Sequence, residues 1–151
     1  MGGDSAYAIG QIRPMDRVPP EPGSKPIRIL IADDDPGFAE MLRDALEVHD
    51  QFDVVAVVAN GAEAVASTEG LKPELVLMDV TMPVLDGIEA TRRIRDLPSA
   101  PTVVLITGDD SVAGDKRAYE AGAAAYLRKS HELVSVIDVI VAVSRLGAAR
   151  V

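Results

Sequence analysis

The sequence predicts an α/β domain, a (βα)5 doubly wound sheet of five parallel strands with helices on both faces. Three observations carry this. Five short apolar runs alternate with five segments of helical pattern, joined by short connections. The run Leu75 to Met78 is continuously apolar rather than alternating, as expected for a strand buried on both faces. Two of them, IRILIA and LVLM, end abruptly in aspartate, where open α/β sheets place ligand sites.

Residues 1–26 read as a disordered tail. They hold five of the ten prolines, four of the twelve glycines and cancelling charges, too little apolar surface to offset chain entropy. Tyr7, Ile9 and Ile12 are the tail's main bulky side chains, the material of a short docking motif. The folded domain is expected over 27–147, with 148–151 as its end. Strand one is Ile27 to Ala32. Helix one spans about Pro36 to Val48, because Phe38, Met41, Leu42, Ala45 and Leu46 form a one-faced stripe. Asp35 suits its N-cap and Pro36 its first turn. Strand two is Phe52 to Ala59. Asn60 and Glu63 have capping-box spacing for helix two, and Gly70 is placed to close it.

Strand three runs from Leu75 and ends at Asp79. Asp86 and Glu89 repeat the capping-box spacing, opening helix three from about Gly87 to Asp96. Strand four is Thr102 to Ile106. Helix four is about Ser111 to Ala121, with Gly122 as its stop and Gly114 inside it, where glycine costs ~1 kcal/mol relative to alanine. Strand five is Ala124 to Leu127. Helix five begins near His131 and reaches about Leu146. Its core stripe is Leu133, Val136, Ile137, Ile140 and Val143. Val134, Val139, Val141 and Leu146 lie at or beyond the stripe's edge, which fits either a broadly buried helix or a partner surface.

Composition narrows the function. The 151 residues suffice for one domain with a sizeable core. The absence of cysteine excludes disulfides, thiolate catalysis and zinc–thiolate sites. A net charge of -9 argues against direct nucleic-acid binding, which needs Lys and Arg on phosphates. No apolar run reaches membrane-span length, and the N-terminus lacks a secretory pattern, so a cytoplasmic location is expected.

Candidate chemistry gathers at strand ends. Asp35 has a capping role, whereas Asp33 and Asp34 crowd like charges that a cation would offset. If strands one and three are neighbours, Asp33, Asp34 and Asp79 converge, and hard oxygen ligands of this kind suit Mg²⁺. Thr107 and Lys129 close VVLIT and AYLRK on the same expected rim, adding a hydroxyl and an ammonium. Each residue alone is an ordinary strand-end or loop residue, so the case rests on the constellation.

The motifs ILIADDDP, LVLMDVTMPVLDG, VVLITG and AYLRK, spread over about Pro26 to Leu146, resemble the receiver domain of two-component response regulators. The resemblance implies a flavodoxin-like sheet of order 2-1-3-4-5. It places the phosphoacceptor at Asp79, the acidic metal pair at Asp33 and Asp34, the switch hydroxyl at Thr107, the active-site lysine at Lys129 and the switch aromatic at Tyr126. Mg²⁺ would be held by Asp34, Asp79 and the Thr81 backbone carbonyl, with Asp33 acting through water. The implied partner is a sensor histidine kinase or phosphotransfer protein. The implied signal is a change in the face of helix four, strand five and helix five, which also offers a homodimer surface. Beyond self-phosphorylation and autodephosphorylation no enzyme activity is expected.

Ser130 follows Lys129 where many receivers have proline, which leaves the geometry of that peptide open. The same feature and the GIEATRRIR helix resemble the NarL/FixJ-like branch. Gly108 and Gly114 suggest an unusually mobile helix four. The chain ends at Val151 without room for a helix-turn-helix output domain, as in a stand-alone receiver or the front of a longer regulator. Rival readings fit less well. A haloacid-dehalogenase-like phosphatase would want an aspartate where Thr81 stands. An FMN binder would need a phosphate cradle where Asp33 to Asp35 stand. A degenerate receiver serving only as a scaffold stays open.

Overall fold

The computed structural model describes residues 25–108, 113–129 and 133–149. Its elements alternate strictly: β1 (Ile27–Ala32), α1 (Pro36–Glu47), β2 (Phe52–Val58), α2 (Gly61–Leu71), β3 (Leu75–Asp79), α3 (Gly87–Arg95), β4 (Thr102–Thr107), α4 (Ala113–Ala121), β5 (Ala125–Arg128) and α5 (Leu133–Ala149). All strand pairings are parallel, in the order β2-β1-β3-β4-β5.

Alternation along each strand divides the core. Ile29 and Ile31 of β1, Leu75 and Leu77 of β3, and Val104 and Ile106 of β4 face α1 and α5. Leu30, Val76, Met78, Val103 and Leu105 face α2, α3 and α4. β3 is buried at all five positions, which is why its sequence shows no alternation. In α5, Val136, Ile137 and Ile140 are buried, and Val139, Val141 and Val143 pack partly buried against the same cluster. For these residues the broadly buried reading holds. The side chains of Leu133, Val134 and Leu146 lie outside the described ones.

The caps form as the spacing predicts. Asp35 Oδ1 accepts from the Gly37 and Phe38 amides at 3.1 and 3.3 Å. Asn60 Oδ1 accepts from Glu63 N at 2.9 Å, and Asp86 Oδ1 from Glu89 N at 2.8 Å. Gly122, at φ +113, ends α4.

Several termini differ from expectation, the α2 end most instructively. Gly70 does not close α2; the helix continues to Leu71, and Lys72 at φ +51 is the left-handed cap. The cause lies on another element. Arg28 of β1 donates from Nη1 to the Leu71 and Lys72 carbonyls at 2.7 and 3.0 Å, satisfying the exposed end. β5 begins one residue later than expected, and β4 extends through Thr107. The tail's Tyr7, Ile9 and Ile12, the Lys129–Ser130 peptide, His131 and the expected start of helix four at Ser111 lie outside the described residues. Among the described residues no helix is long and apolar enough to cross a membrane.

Candidate functional site

Register brings the strand ends together. Ala32 pairs with Met78, so Asp33 leaves β1 beside Asp79. Asp79 pairs with Ile106, which puts Thr107 one step further along β4. Thr107 pairs with Arg128, and Lys129 follows, its amide donating to the Thr107 carbonyl at 2.8 Å. Four predicted residues from four strands thus share one rim.

Asp33 and Asp79 are nearly enclosed, at 5% and 6% exposure, while Asp34 is exposed. The three carboxylates each bring an oxygen within 4.8 Å of the others. Asp33 Oδ1 accepts from the Asp35 amide at 2.8 Å. Lys129 Nζ lies 3.0 Å from Asp33 Oδ2 and 3.3 Å from Asp79 Oδ2. The other Asp79 oxygen accepts a long hydrogen bond, 3.4 Å, from the Thr81 amide.

Burial first, and the Asp33 charge second, push the Asp79 carboxyl up from 3.8 to about 6, against the Lys129 charge and hydrogen bond and the Thr81 amide, which hold it back. Above about pH 6 the ionised form prevails, the form in which a carboxylate is a nucleophile. Burial by itself would lower the Lys129 ammonium; the hydrogen bond to Asp33 and the charge of Asp79 outweigh it and raise its pKa. One ammonium among three carboxylates leaves negative charge uncompensated. That excess and the all-oxygen donor set fit a hard divalent cation such as Mg²⁺ held by Asp33, Asp34 and Asp79.

The loop after Asp79 is clamped to the sheet. Val80 N donates to the Ile106 carbonyl at 3.3 Å, and Gly87 N to the Val80 carbonyl at 2.7 Å. A Cβ on Gly87 would run into the Asp79 carbonyl oxygen and sit 3.0 Å from Val80 Cα. Val84, 80% exposed, adopts φ +71 while Leu85 N donates to the Pro83 carbonyl at 2.7 Å, a tight γ-turn on a β-branched residue.

Thr107 is buried at the end of β4, and Tyr126 is half-buried against the α2–α3–α4 cluster. The Tyr126 hydroxyl lies under the first turn of α4, in the space a Gly114 side chain would fill; a Cβ there would also come within 2.9 Å of Tyr126 Cζ. Gly114 is therefore a contact residue, a role its reading as a weak point in the helix did not contain.

Phe38 was also missed. Read as part of an apolar stripe, it packs against the α1–α5 core but sets its ring 4.6 Å from Lys129 Nζ. The signal available in the sequence was its position, one turn beyond the aspartates.

Known proteins agree with this architecture. Residues 29–141 match the response regulator receiver domain family, and the chain belongs to that family. It is 34% identical over 113 residues to the chemotaxis protein CheY of Halobacterium salinarum, covering 75% of this chain and 92% of that protein. It is 37% identical over 122 residues to the transcriptional regulatory protein LnrK of Bacillus subtilis, covering 80% of this chain and 55% of that one. The chain thus spans nearly all of one relative and about half of the other. The solved signal receiver domain of NarL from Mycobacterium tuberculosis superposes with a TM-score of 0.77 at 26% identity, over 81% of this chain and 98% of that one. The chain is a two-component receiver domain with the expected five-stranded sheet, and its structural neighbours include the NarL branch.

Proposed function

We propose that this receiver accepts a phosphoryl group on Asp79 from a phosphohistidine of a partner kinase or phosphotransfer protein. The observation that carries the reading is the placement of Asp79, buried at the end of β3 with an ammonium at one oxygen and an amide at the other. In the transfer, an Asp79 oxygen forms a bond to phosphorus as the phosphorus–nitrogen bond breaks. The departing imidazole nitrogen keeps the electron pair and takes a proton from solvent.

Such transfers ask for positioning and charge compensation rather than elaborate covalent chemistry. The β3 terminus and the Thr81 amide orient the carboxylate. Lys129, released in part from Asp79 as that carboxylate gives up charge, is within reach of an oxygen of the incoming group. Asp34, Asp79 and the Thr81 carbonyl would hold Mg²⁺, with Asp33 acting through water, and the ion would supply the remaining positive charge. Hydrolysis of the acyl phosphate at the same site resets the protein.

The readout runs through Thr107 and Tyr126. Thr107 ends the strand beside Asp79, and its carbonyl holds the backbone of Lys129. Tyr126 joins β5 to the first turn of α4. A phosphoryl group that draws Thr107 toward it biases the α4–β5–α5 face between two arrangements, with a differential stabilisation of ~1–3 kcal/mol. That face then signals to a partner, an output domain or a second copy of the chain, in the cytoplasm where kinases of this kind phosphorylate their receivers.

Intact mass after incubation with acetyl phosphate and Mg²⁺ tests the reading. The parent should gain one phosphoryl group, lose the gain when EDTA is present from the start, and show none as Asp79→Asn. A parent that gains nothing from acetyl phosphate or from a phosphorylated histidine donor would refute it.

A further inference from the structure

We propose that Phe38 is a positioning residue for Lys129: its ring face seats the ammonium so that Nζ can change oxygen partners without leaving the site. This rests on the phosphoacceptor reading and names a residue that it does not contain.

The ring's location is set by the helix start that directly follows the site aspartates Asp33 and Asp34. Asp35 caps α1 by accepting from the Phe38 amide itself, at 3.3 Å, and Pro36 sets the first turn. The side chain is half-buried against the α1–α5 core, so its orientation is held by packing. Nζ lies 4.6 Å from the ring centroid, inside the ~6 Å range over which an aromatic face attracts a cation. The ammonium therefore has three partners: Asp33 at 3.0 Å, Asp79 at 3.3 Å and the ring.

These partners respond differently to phosphoryl transfer. A lysine carries its charge on a flexible four-carbon stem with rotatable donors. Its hydrogen bond to Asp79 depends on a carboxylate oxygen whose charge changes when phosphorus bonds to that group. The ring's charge distribution stays constant, and a broad face tolerates lateral movement that a directional hydrogen bond does not. The ring thus retains the ammonium while it exchanges an Asp79 oxygen for a phosphoryl oxygen. A leucine would fill much of the same apolar space but would present no such face.

The test combines a spectroscopic signature with conservative rescue. The chain has four lysines, Lys25, Lys72, Lys116 and Lys129, so isotope-labelled lysine gives a readily assigned spectrum. The ε-methylene protons of Lys129 should resonate upfield of the other three because of the ring current. Phe38→Leu should abolish that displacement and Phe38→Tyr preserve it. With acetyl phosphate and Mg²⁺, phosphorylation should slow about fivefold in Phe38→Leu and stay within about twofold of the parent in Phe38→Tyr. Matching circular dichroism spectra would confirm that both variants fold.

If Phe38→Leu folds and reacts at the parent rate, or if Lys129 shows no ring-current displacement in the parent, the proposal is overturned. The parent spectrum decides that second point even if the leucine variant does not fold. A displaced Lys129 in a parent that accepts no phosphoryl group would overturn the phosphoacceptor reading, and with it the purpose assigned to the seat.

Discussion

Replacing Asp79 with asparagine should make the metal-free protein more stable. The carboxyl is 6% exposed, and its pKa stands at about 6 against 3.8 in the absence of burial and neighbours. A gap of roughly two units at ~1.36 kcal/mol per unit means that holding Asp79 ionised costs the fold up to about 3 kcal/mol. That figure already includes the attraction of Lys129, which lowers the cost. The carboxamide resembles the neutral acid in size and shape, so Asp79→Asn should recover about 1–3 kcal/mol above pH 6. Lys129 keeps its contact with Asp33 at 3.0 Å, so no buried cation is stranded.

The pH dependence identifies the cause. Folded protein binds the Asp79 proton more tightly than unfolded chain, because its folded pKa is the higher one. The parent therefore loses stability relative to the variant as pH rises from 3.8 to about 6, and the difference then stays constant. Near pH 3.8 and below, the two proteins should converge. Urea unfolding in EDTA across this range, with equal m-values, is the assay. Saturating Mg²⁺ should narrow the gap, since ligand at about 100 times its Kd adds ~2.7 kcal/mol to the parent and less to a variant lacking one carboxylate. Equal stability at every pH, or an advantage as large at low pH as at high pH, would refute the charge argument.

Other perturbations address the frame of the site. Gly87→Ala would drive a Cβ into the Asp79 carbonyl; because the obstruction is backbone, a loss of about 1–3 kcal/mol in urea unfolding is expected. Gly114→Ala should fail to give the ~1 kcal/mol usually gained by replacing a helical glycine, because Tyr126 must vacate its place. In labelled tyrosine spectra Tyr126 should move while the exposed Tyr119 does not. Val84→Gly should stabilise by about 0.5–1 kcal/mol in urea, since a left-handed residue with a Cβ costs ~1–2 kcal/mol and the more flexible unfolded chain returns part of that gain.

Much of this was legible along the chain because the sheet is parallel and buried. Apolar runs marked each strand, and their polar last residues marked the rim. The pairs Ala32 with Met78 and Thr107 with Arg128 then turn separate strand ends into one cluster. Contacts across the sequence were not legible. Gly70 resembled a helix stop, but Arg28, which lies 43 residues from Leu71 along the chain, supports the α2 terminus beyond it. Gly114 resembled a flaw in α4 until Tyr126 was found beneath it. Phe38 fitted the helix stripe so well that its second contact, with Lys129, left no trace in the pattern.

The most direct measurement is the location of the phosphoryl group itself. After incubation with acetyl phosphate and Mg²⁺, borohydride reduction converts an aspartyl phosphate to homoserine, and peptide mass mapping then finds its position. The account predicts conversion at Asp79 alone, and none when EDTA is present throughout. Conversion at Asp33 or Asp34 instead, or unreduced aspartate at all three positions in a protein that has gained phosphoryl mass, would contradict it.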